Sequence, residues 1–404
     1  MQEQLNTDSD YERALQLSEL QKAAIQCAKG NRYKQSVAGY LHDSLCRNQK
    51  LQTELKNGSY HISRYLIFEI TEPKQRTIVA TRFRDRVWQK SMCNNGVREQ
   101  LLRGLIYDNG ACQKGKGVDF AVDRIICFLQ RYYRKHGSNK GFYRHYDIKG
   151  YFPNTPHCVT IAIVDCRISD KDFKRHLKNV ICSFKDPRSA EEIAADPFGE
   201  RGTALGSEIS QLLQLAVLSH IDHAIKESFR MKYYIRFNDD ILLISDSNEE
   251  LDTVRDYLKS ELAKLGLTMT DKCGRGKLEQ GIRFMKRRFI LTDTGKVIVK
   301  PFAQKFAKER GRLRKLKKKL DDGRITITKI ENHYQAVRAG LSRCDASSEI
   351  KALDRFYEKI IGQKPPEPKR RRKNGYSKAK SQCRTQRRRN RQVNGRKPDA
   401  QVRT

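Results

Sequence analysis

Three aspartates in the middle of the chain stand out because of the residues around them. In Tyr233-Tyr-Ile-Arg-Phe-Asn-Asp-Asp-Ile-Leu-Leu-Ile-Ser245, two apolar runs flank Asn238-Asp239, a residue pair suited to a two-residue hairpin turn. Asp239 and Asp240 then sit at the hairpin tip. Strands this apolar are normally buried on both faces, so two adjacent acids between them are costly unless a cation neutralises them. A third carboxylate, Asp147, closes the strand-forming run Phe142-Tyr-Arg-His-Tyr. One carboxylate from one strand and two from a neighbouring hairpin are the donors of a two-metal site. Carboxylate oxygens suit Mg²⁺, with Mn²⁺ as a substitute, and two such ions activate an attacking hydroxyl and stabilise a leaving pyrophosphate. A lone Asp-Asp pair also fits a solvated turn; the order of the surrounding motifs favours the metal site.

The elements that must hold these residues mix strand and helix. Tyr11 to Lys29 reads as a helix, Tyr60 to Ile70 as a strand pair, and residues 73–80 as a further strand. Val118 to Tyr133 is an amphipathic helix. Ser207 can cap a long helix running through Ile209, Leu212 and Ala216 to Ile221, and Gly206 before it permits close backbone approach. A helix N-terminus there suits a phosphate. His220 and His223 share one helix face without a third ligand, so a metal pair is not expected. Gly115-Lys-Gly117 lacks the spacing of a phosphate loop. Further on, Phe302, Phe306, Leu313, Leu316 and Leu320 recur at helical spacing, with nine Lys+Arg against three acids between Pro301 and Asp322. Helices over Ile327 to Ala339 and Glu349 to Ile361 complete a small helical module with one basic face.

The composition agrees with a polyanionic partner. The 404 residues carry 82 Lys+Arg against 47 Asp+Glu, a formal net charge of +35, which repels itself unless nucleic acid or an anionic surface offsets it. From Lys364 to Thr404 there are 16 Lys+Arg and two acids, with almost no aliphatic residues. That stretch reads as a disordered polycationic arm able to hold phosphates. No apolar run approaches the ~18 residues of a spanning helix, no secretory signal is visible at the start, and no membrane is expected. The 11 cysteines include no C-x-x-C pair, which argues for reduced thiols in a cytoplasmic protein rather than a zinc knuckle or disulfide framework.

In order along the chain, these segments resemble the motifs of reverse transcriptases of the prokaryotic retroelement lineage, over roughly residues 10–360. Asp147-Ile-Lys-Gly-Tyr-Phe152 is similar to the first palm motif, and Gly202-Thr-Ala-Leu-Gly-Ser-Glu-Ile-Ser-Gln211 to the second. Phe237-Asn-Asp-Asp240 is similar to the Tyr-x-Asp-Asp motif, with the ring kept and the hydroxyl lost. Leu262 to Lys272 resembles the fourth motif and Gly281 to Phe289 the primer grip. Upstream, Pro73-Lys-Gln-Arg76 and Phe83-Arg-Asp-Arg-Val-Trp88 resemble fingers segments.

The resemblance implies an α+β right-hand polymerase. Residues 1–140 would form an N-terminal extension and fingers. Residues 141–300 would form a palm with an antiparallel sheet and a fingers-type insertion at about 160–200. Residues 301–362 would be an α-helical thumb and 363–404 a disordered basic tail. The reaction implied is RNA-directed DNA synthesis, copying a dedicated template RNA into cDNA. Asp147, Asp239 and Asp240, with the carbonyl of Ile148, would bind two Mg²⁺. Lys272 would protonate the pyrophosphate, and Arg76 would contact the triphosphate and the base, with Lys74 nearby. Phe152 stands at the sugar gate and would select dNTPs. Leu205, Gly206 and Gln211 would line the nucleotide pocket. Leu205-Gly206-x-x-x-Ser210-Gln211 is most similar to the diversity-generating retroelement enzymes, which implies low fidelity and a small basic accessory protein. A retron-like or phage-defence reverse transcriptase is the alternative within the class. A catalytically dead, RNA-binding polymerase fold is the alternative outside it, disfavoured by the complete carboxylate triad. The 41 residues after the helical module are too few for an RNase H, integrase or endonuclease domain, so such activities are expected from elsewhere.

Overall fold

The computed structural model describes residues 9–70, 75–204, 206–270 and 274–367. Lys74, Leu205 and Lys272 lie outside these residues, as does the expected basic tail from 368 onward; of Arg76 only the backbone is described. The chain is a mixed α+β protein whose registered strand pairs are all antiparallel. It forms two compact units, residues up to 285 with 289–297, and residues 286–288 with those from 298 on.

The first unit opens with helices Asp10–Leu15, Leu17–Ala28, Gln35–His42 and Ser44–Lys56. The single helix expected over Tyr11 to Lys29 is broken at Gln16, whose φ of −58° and ψ of 137° leave the helical region. The break lets two short apolar faces turn toward one core: Tyr11, Ala14 and Leu15 from the first helix, and Leu20, Ala23, Ala24 and Ala28 from the second. Trp88 of helix Phe83–Met92 lies fully buried in the same cluster. The strand pair expected over Tyr60 to Ile70 is also corrected. Only β1 (Leu66–Ile70) is a strand, and it pairs with β2 (Arg76–Ala80). Tyr60 and Ile62 instead pack on the helical core, with the Tyr60 hydroxyl donating to Asp85 at 3.0 Å.

The central sheet has the order β4-β5-β3-β6, with β3 Phe142–Asp147, β4 Tyr233–Phe237, β5 Asp240–Ser245 and β6 Gly274–Lys277. Strand alternation divides its residues between two faces. Tyr146, Tyr234, Ile241 and Leu243 join a buried cluster with Leu251, Val254 and Leu258 of helix Asn248–Lys264. On the other face Tyr233 meets Phe128 and Tyr132 of helix Val118–His136 edge-on, at centroid separations of 5.9 and 5.8 Å. That helix runs three residues beyond the expected Tyr133 and stops where Gly137 takes a left-handed φ of 65°. The long helix expected from Ser207 to Ile221 is two helices, Glu208–Val217 and Ser219–Glu227, parted at Leu218. Strands β7 (Ile282–Phe284), β8 (Arg287–Leu291) and β9 (Val297–Pro301) follow in the order β7-β8-β9.

The second unit contains helices Ala303–Asp321, Ile327–Leu341 and Ser347–Ile361, within two residues of the sequence expectation at each end. Leu313, Ile330, Tyr334, Leu353 and Tyr357 form its core, with the Tyr334 and Tyr357 rings 4.4 Å apart. Lys305, Lys308, Arg310, Arg312, Arg314, Lys315, Lys318 and Lys319 of the first helix are exposed. The apolar and basic faces are therefore the ones its spacing foretold.

Candidate active site

The hairpin that carries two of the aspartates forms as its local sequence dictates. Phe237 pairs with Asp240, leaving Asn238 and Asp239 as the two-residue turn. Asn238 takes a left-handed φ of 57°, a conformation asparagine tolerates better than most residues. Asp147 is the last residue of β3 and the direct cross-strand partner of Asp240. Directly opposed residues in antiparallel strands have Cα atoms about 4.5–5.5 Å apart. The fold therefore brings carboxylates 93 positions apart in sequence onto neighbouring points of one sheet edge, with Asp239 one residue away. All three are partly exposed.

These donors suit a hard cation such as Mg²⁺ in type and in backbone placement. Among the described residues, however, no three His, Cys, Asp or Glu side chains converge into a group that could hold a metal. Like charges so close repel, so a cation would itself have to draw these side chains together. Asp240 is meanwhile held by His145, whose Nε2 lies 2.8 Å from its Oδ1. His145 is sandwiched by sequence choices on either side. Its ring meets Phe284 edge-on at 5.0 Å, and its β6 partner is Gly274, where a Cβ would come within 3.2 Å of the His145 Cβ.

Beyond Asp147 the chain is pinned and then turned. Thr270 N–H donates to the Asp147 carbonyl at 2.8 Å and Lys149 N–H to Thr268 at 2.9 Å, while Ile148, fully buried, bridges Met269. Gly150, at a left-handed φ of 55°, starts the short helix Tyr151–Asn154. Phe152 is partly buried there, edge-on to Tyr151 at 6.0 Å. Gly206 lies against β2: its N–H donates to Val79 at 3.3 Å, and a Cβ would sit 3.2 Å from the Ala80 Cα. Ser207 caps the following helix as expected, accepting from Ser210 N–H at 3.4 Å, and its hydroxyl also donates to Gln89 at 3.0 Å.

Gly206 and Gln211 line a cavity of about 510 Å³ together with Arg86, Lys90, Arg98 and Glu208. Lys90 pairs with Glu208 at 3.0 Å and Arg98 pairs with the same carboxylate. Cys112 also lines this cavity, and its Sγ is 3.8 Å from Asn238 Oδ1 in the carboxylate-bearing turn. The backbone thus places Asp147, Asp239 and Asp240 at neighbouring positions, and Gly206 and Gln211 line a polar cavity that also includes Cys112. His220 and His223 do not cooperate: His220 faces Glu261 at 3.7 Å, whereas His223 lies between Glu227 and the Gly104 carbonyl.

Sequence reasoning overlooked the charge beneath the turn. Arg236 and Asp222 are both fully buried and pair at 2.7 Å. Arg236 Nη1 donates to the Asn238 carbonyl at 3.1 Å and Nη2 to the Leu215 carbonyl at 2.8 Å. Asp222 also accepts the Tyr234 hydroxyl at 2.5 Å. Burial opposes the Arg236 charge, but the Asp222 carboxylate outweighs it and holds the guanidinium more firmly protonated than usual. Burial and Asp222 push the Tyr234 hydroxyl well up. A second layer follows. Asp108 takes Arg124 Nε at 2.6 Å and Lys226 Nζ at 2.8 Å, and burial lowers the Lys226 amine. The available signal was a lone arginine inside an otherwise apolar strand, which demands a buried partner.

No family model and no curated protein matches the chain. Solved structures with a related chain path include telomerase from Candida albicans in complex with a TWJ fragment of telomeric RNA, at TM-score 0.42 and 11% identity, covering 80% of this chain and 66% of that one. Apo telomerase from Candida tropicalis matches at TM-score 0.41 and 12% identity, covering 58% of this chain and 48% of that one. The same apo telomerase truncated from its C-terminal domain matches at TM-score 0.41 and 13% identity, over 63% and 60%. The chain therefore spans less than two thirds of each of these telomerases, and the agreement in path is too loose to assign a fold. Among the described residues no helix is long and apolar enough to cross a membrane.

Proposed function

We propose that the chain is a template-directed nucleotidyltransferase of the reverse-transcriptase type, adding dNTPs to a primer 3′-end on an RNA template. The observation that carries this reading is the cross-strand pairing of Asp147 with Asp240, beside Asp239 in the two-residue turn. Asp147, Asp239 and Asp240, with the Ile148 carbonyl, are the groups that would hold Mg²⁺. When bound, the metal supplies nucleophile activation and charge neutralisation at the phosphate. The protein's own contribution is placement and charge. Phe152 crowds the sugar, the Glu208–Val217 helix turns its N-terminus toward the polar cavity, and Arg86, Lys90 and Arg98 give that cavity a cationic wall. The exposed basic helix of the second unit suits the phosphates of an RNA–DNA hybrid.

The experiment is primer extension with an RNA template, a DNA primer, dNTPs and Mg²⁺. Extension is expected, and it should vanish in Asp239→Ala/Asp240→Ala. Equal extension by that variant removes the assignment. We further propose the low-fidelity, diversity-generating subtype, on the pattern of Leu205, Gly206, Ser210 and Gln211. Sequenced cDNA should then show excess errors opposite template adenine, reduced by Leu205→Gln. Errors spread evenly over the template bases would favour a retron-like or defence enzyme instead.

A further inference from the structure

The turn bearing Asp239 and Asp240 is short and partly exposed. Repulsion among the three carboxylates tends to open it. Something must hold the turn rigid if it is to meet a cation in a fixed geometry. The sheet β4-β5-β3-β6 fixes the flanking strands, but Asn238 and Asp239 lie outside its ladder, so their backbone groups need partners of their own.

We infer that Arg236 is a positioning residue for the carboxylate turn, fixing it from the buried face of the sheet through a guanidinium that ties the turn's backbone to the helix Ser219–Glu227. The inference rests on the catalytic reading of Asp147, Asp239 and Asp240 given above. Alternation places Arg236 on the face opposite Asp240's partner Phe237, where Asp222 of that helix meets it. The guanidinium has three fixed directions of donation. Nε and Nη2 grip the two Asp222 oxygens at 2.8 and 2.7 Å, Nη2 also reaches Leu215, and Nη1 is aimed at the Asn238 carbonyl in the turn itself. The Arg236 backbone is fixed as well. Its N–H donates to the Asp108 carbonyl at 3.2 Å, and its carbonyl accepts from Gly110 N–H at 2.9 Å. Backbone and side chain of Arg236 are thus each tied to neighbouring elements, and Nη1 carries that hold to the turn.

A buried ion pair is poor evidence of a gain in stability, since well-packed apolar side chains often do as well or better. Its fork geometry is what apolar packing cannot reproduce. That difference provides the test. In the full chain, the triple replacement Asp222→Leu/Tyr234→Phe/Arg236→Met removes the pair and its hydroxyl partner together. Three quantities are measured: the unfolding transition, Mn²⁺ affinity by electron paramagnetic resonance, and kcat against KM for dNTP in primer extension.

Positioning predicts a cooperative unfolding transition, Mn²⁺ affinity and kcat each about 10- to 100-fold lower, the size expected when a metal ligand loses its support, and a KM for dNTP close to the parent's. A folded triple variant with parental Mn²⁺ affinity and kcat overturns the inference and leaves the pair purely structural. If the triple variant does not fold, Arg236→Lys decides, because it keeps the charge but cannot reach Asp222, Leu215 and Asn238 at once. Parental Mn²⁺ affinity and kcat in folded Arg236→Lys overturn the inference, and reduced values support it. Asp239→Ala/Asp240→Ala is run alongside. If that variant binds Mn²⁺ as well as the parent, the reading of the carboxylates fails, and the inference falls with it for that separate reason.

Discussion

Replacing Asp240 by Asn should stabilise the protein when divalent metal is chelated. Asp240 stands opposite Asp147 in adjacent strands. With their Cα spacing of about 5 Å taken as the charge separation, two unit charges repel by about 0.8 kcal/mol at the permittivity of water and by about 3 kcal/mol at an effective permittivity of about 20. The Asp240 side chain is 35% exposed, which places the repulsion between these limits, at about 1–2 kcal/mol. Asn keeps an oxygen that can accept from His145, so only the charge-assisted excess of that hydrogen bond is lost, about 0.5–1 kcal/mol. The net gain is about 0.5–1 kcal/mol, or a rise of about 1–3 °C in Tm. Denaturation of parent and Asp240→Asn in chelator at low salt measures it. The gain should shrink as salt screens the pair. Adding excess Mg²⁺ should reverse the order, because the parent alone is then stabilised by ligand binding. An Asp240→Asn protein less stable than the parent in chelator would refute the view of Asp147 and Asp240 as a repelling pair held together by the fold.

Three other outcomes are expected. Phe152→Ala should raise ribonucleotide incorporation relative to deoxyribonucleotide in primer-extension competition, and an unchanged ratio would remove the sugar-gate role. His176, enclosed by Tyr11, Trp88 and Tyr60, is pushed down to about 4 by burial. The unfolded chain therefore takes up a proton below about pH 6.5 that the folded chain refuses, so stability is complete above that value and falls by about 3 kcal/mol as pH drops toward 4; urea denaturation at pH 7 and pH 5 should show the loss, and His176→Leu should abolish this part of it. Asp186 is held down at about 2 by its hydrogen bonds from Arg188. Its contribution is present above the ordinary carboxylate pKa of about 4 and is lost as pH falls toward 2, so Asp186→Asn should lower stability by a constant amount between pH 5 and pH 7 and flatten acid denaturation between about pH 4 and pH 2.

The hairpin of the candidate site was legible because its turn is specified locally. Asn238-Asp239 between two apolar runs specifies a hairpin through backbone preferences of adjacent residues, and the turn forms at those two positions. The same holds for the second unit, where apolar spacing places three helices to within two residues. Local signals misled where tertiary packing competed. Tyr11 to Lys29 has helical periodicity throughout, but one straight rod could not bring Tyr11 and Ala28 into the same core, so the chain bends at Gln16. The segment after Tyr60 alternates like a strand, but Tyr60 and Ile62 pack on the helical core instead.

The sequence by itself determined the carboxylates, the turn that holds two of them, and the basic faces that suit a polyanion, since each depends on neighbours within a few positions. Only the tertiary structure decided which residues support them. His145 reaches Asp240 across 95 positions, and Arg236 meets Asp222 across 14, from a strand to the helix before it. Both contacts rest on strand register and helix placement, which are set by burial of apolar surface over the whole unit. Hydrophobic burial carries no information about charge, so the identity of a charged residue's partner is fixed only when the core has closed around it.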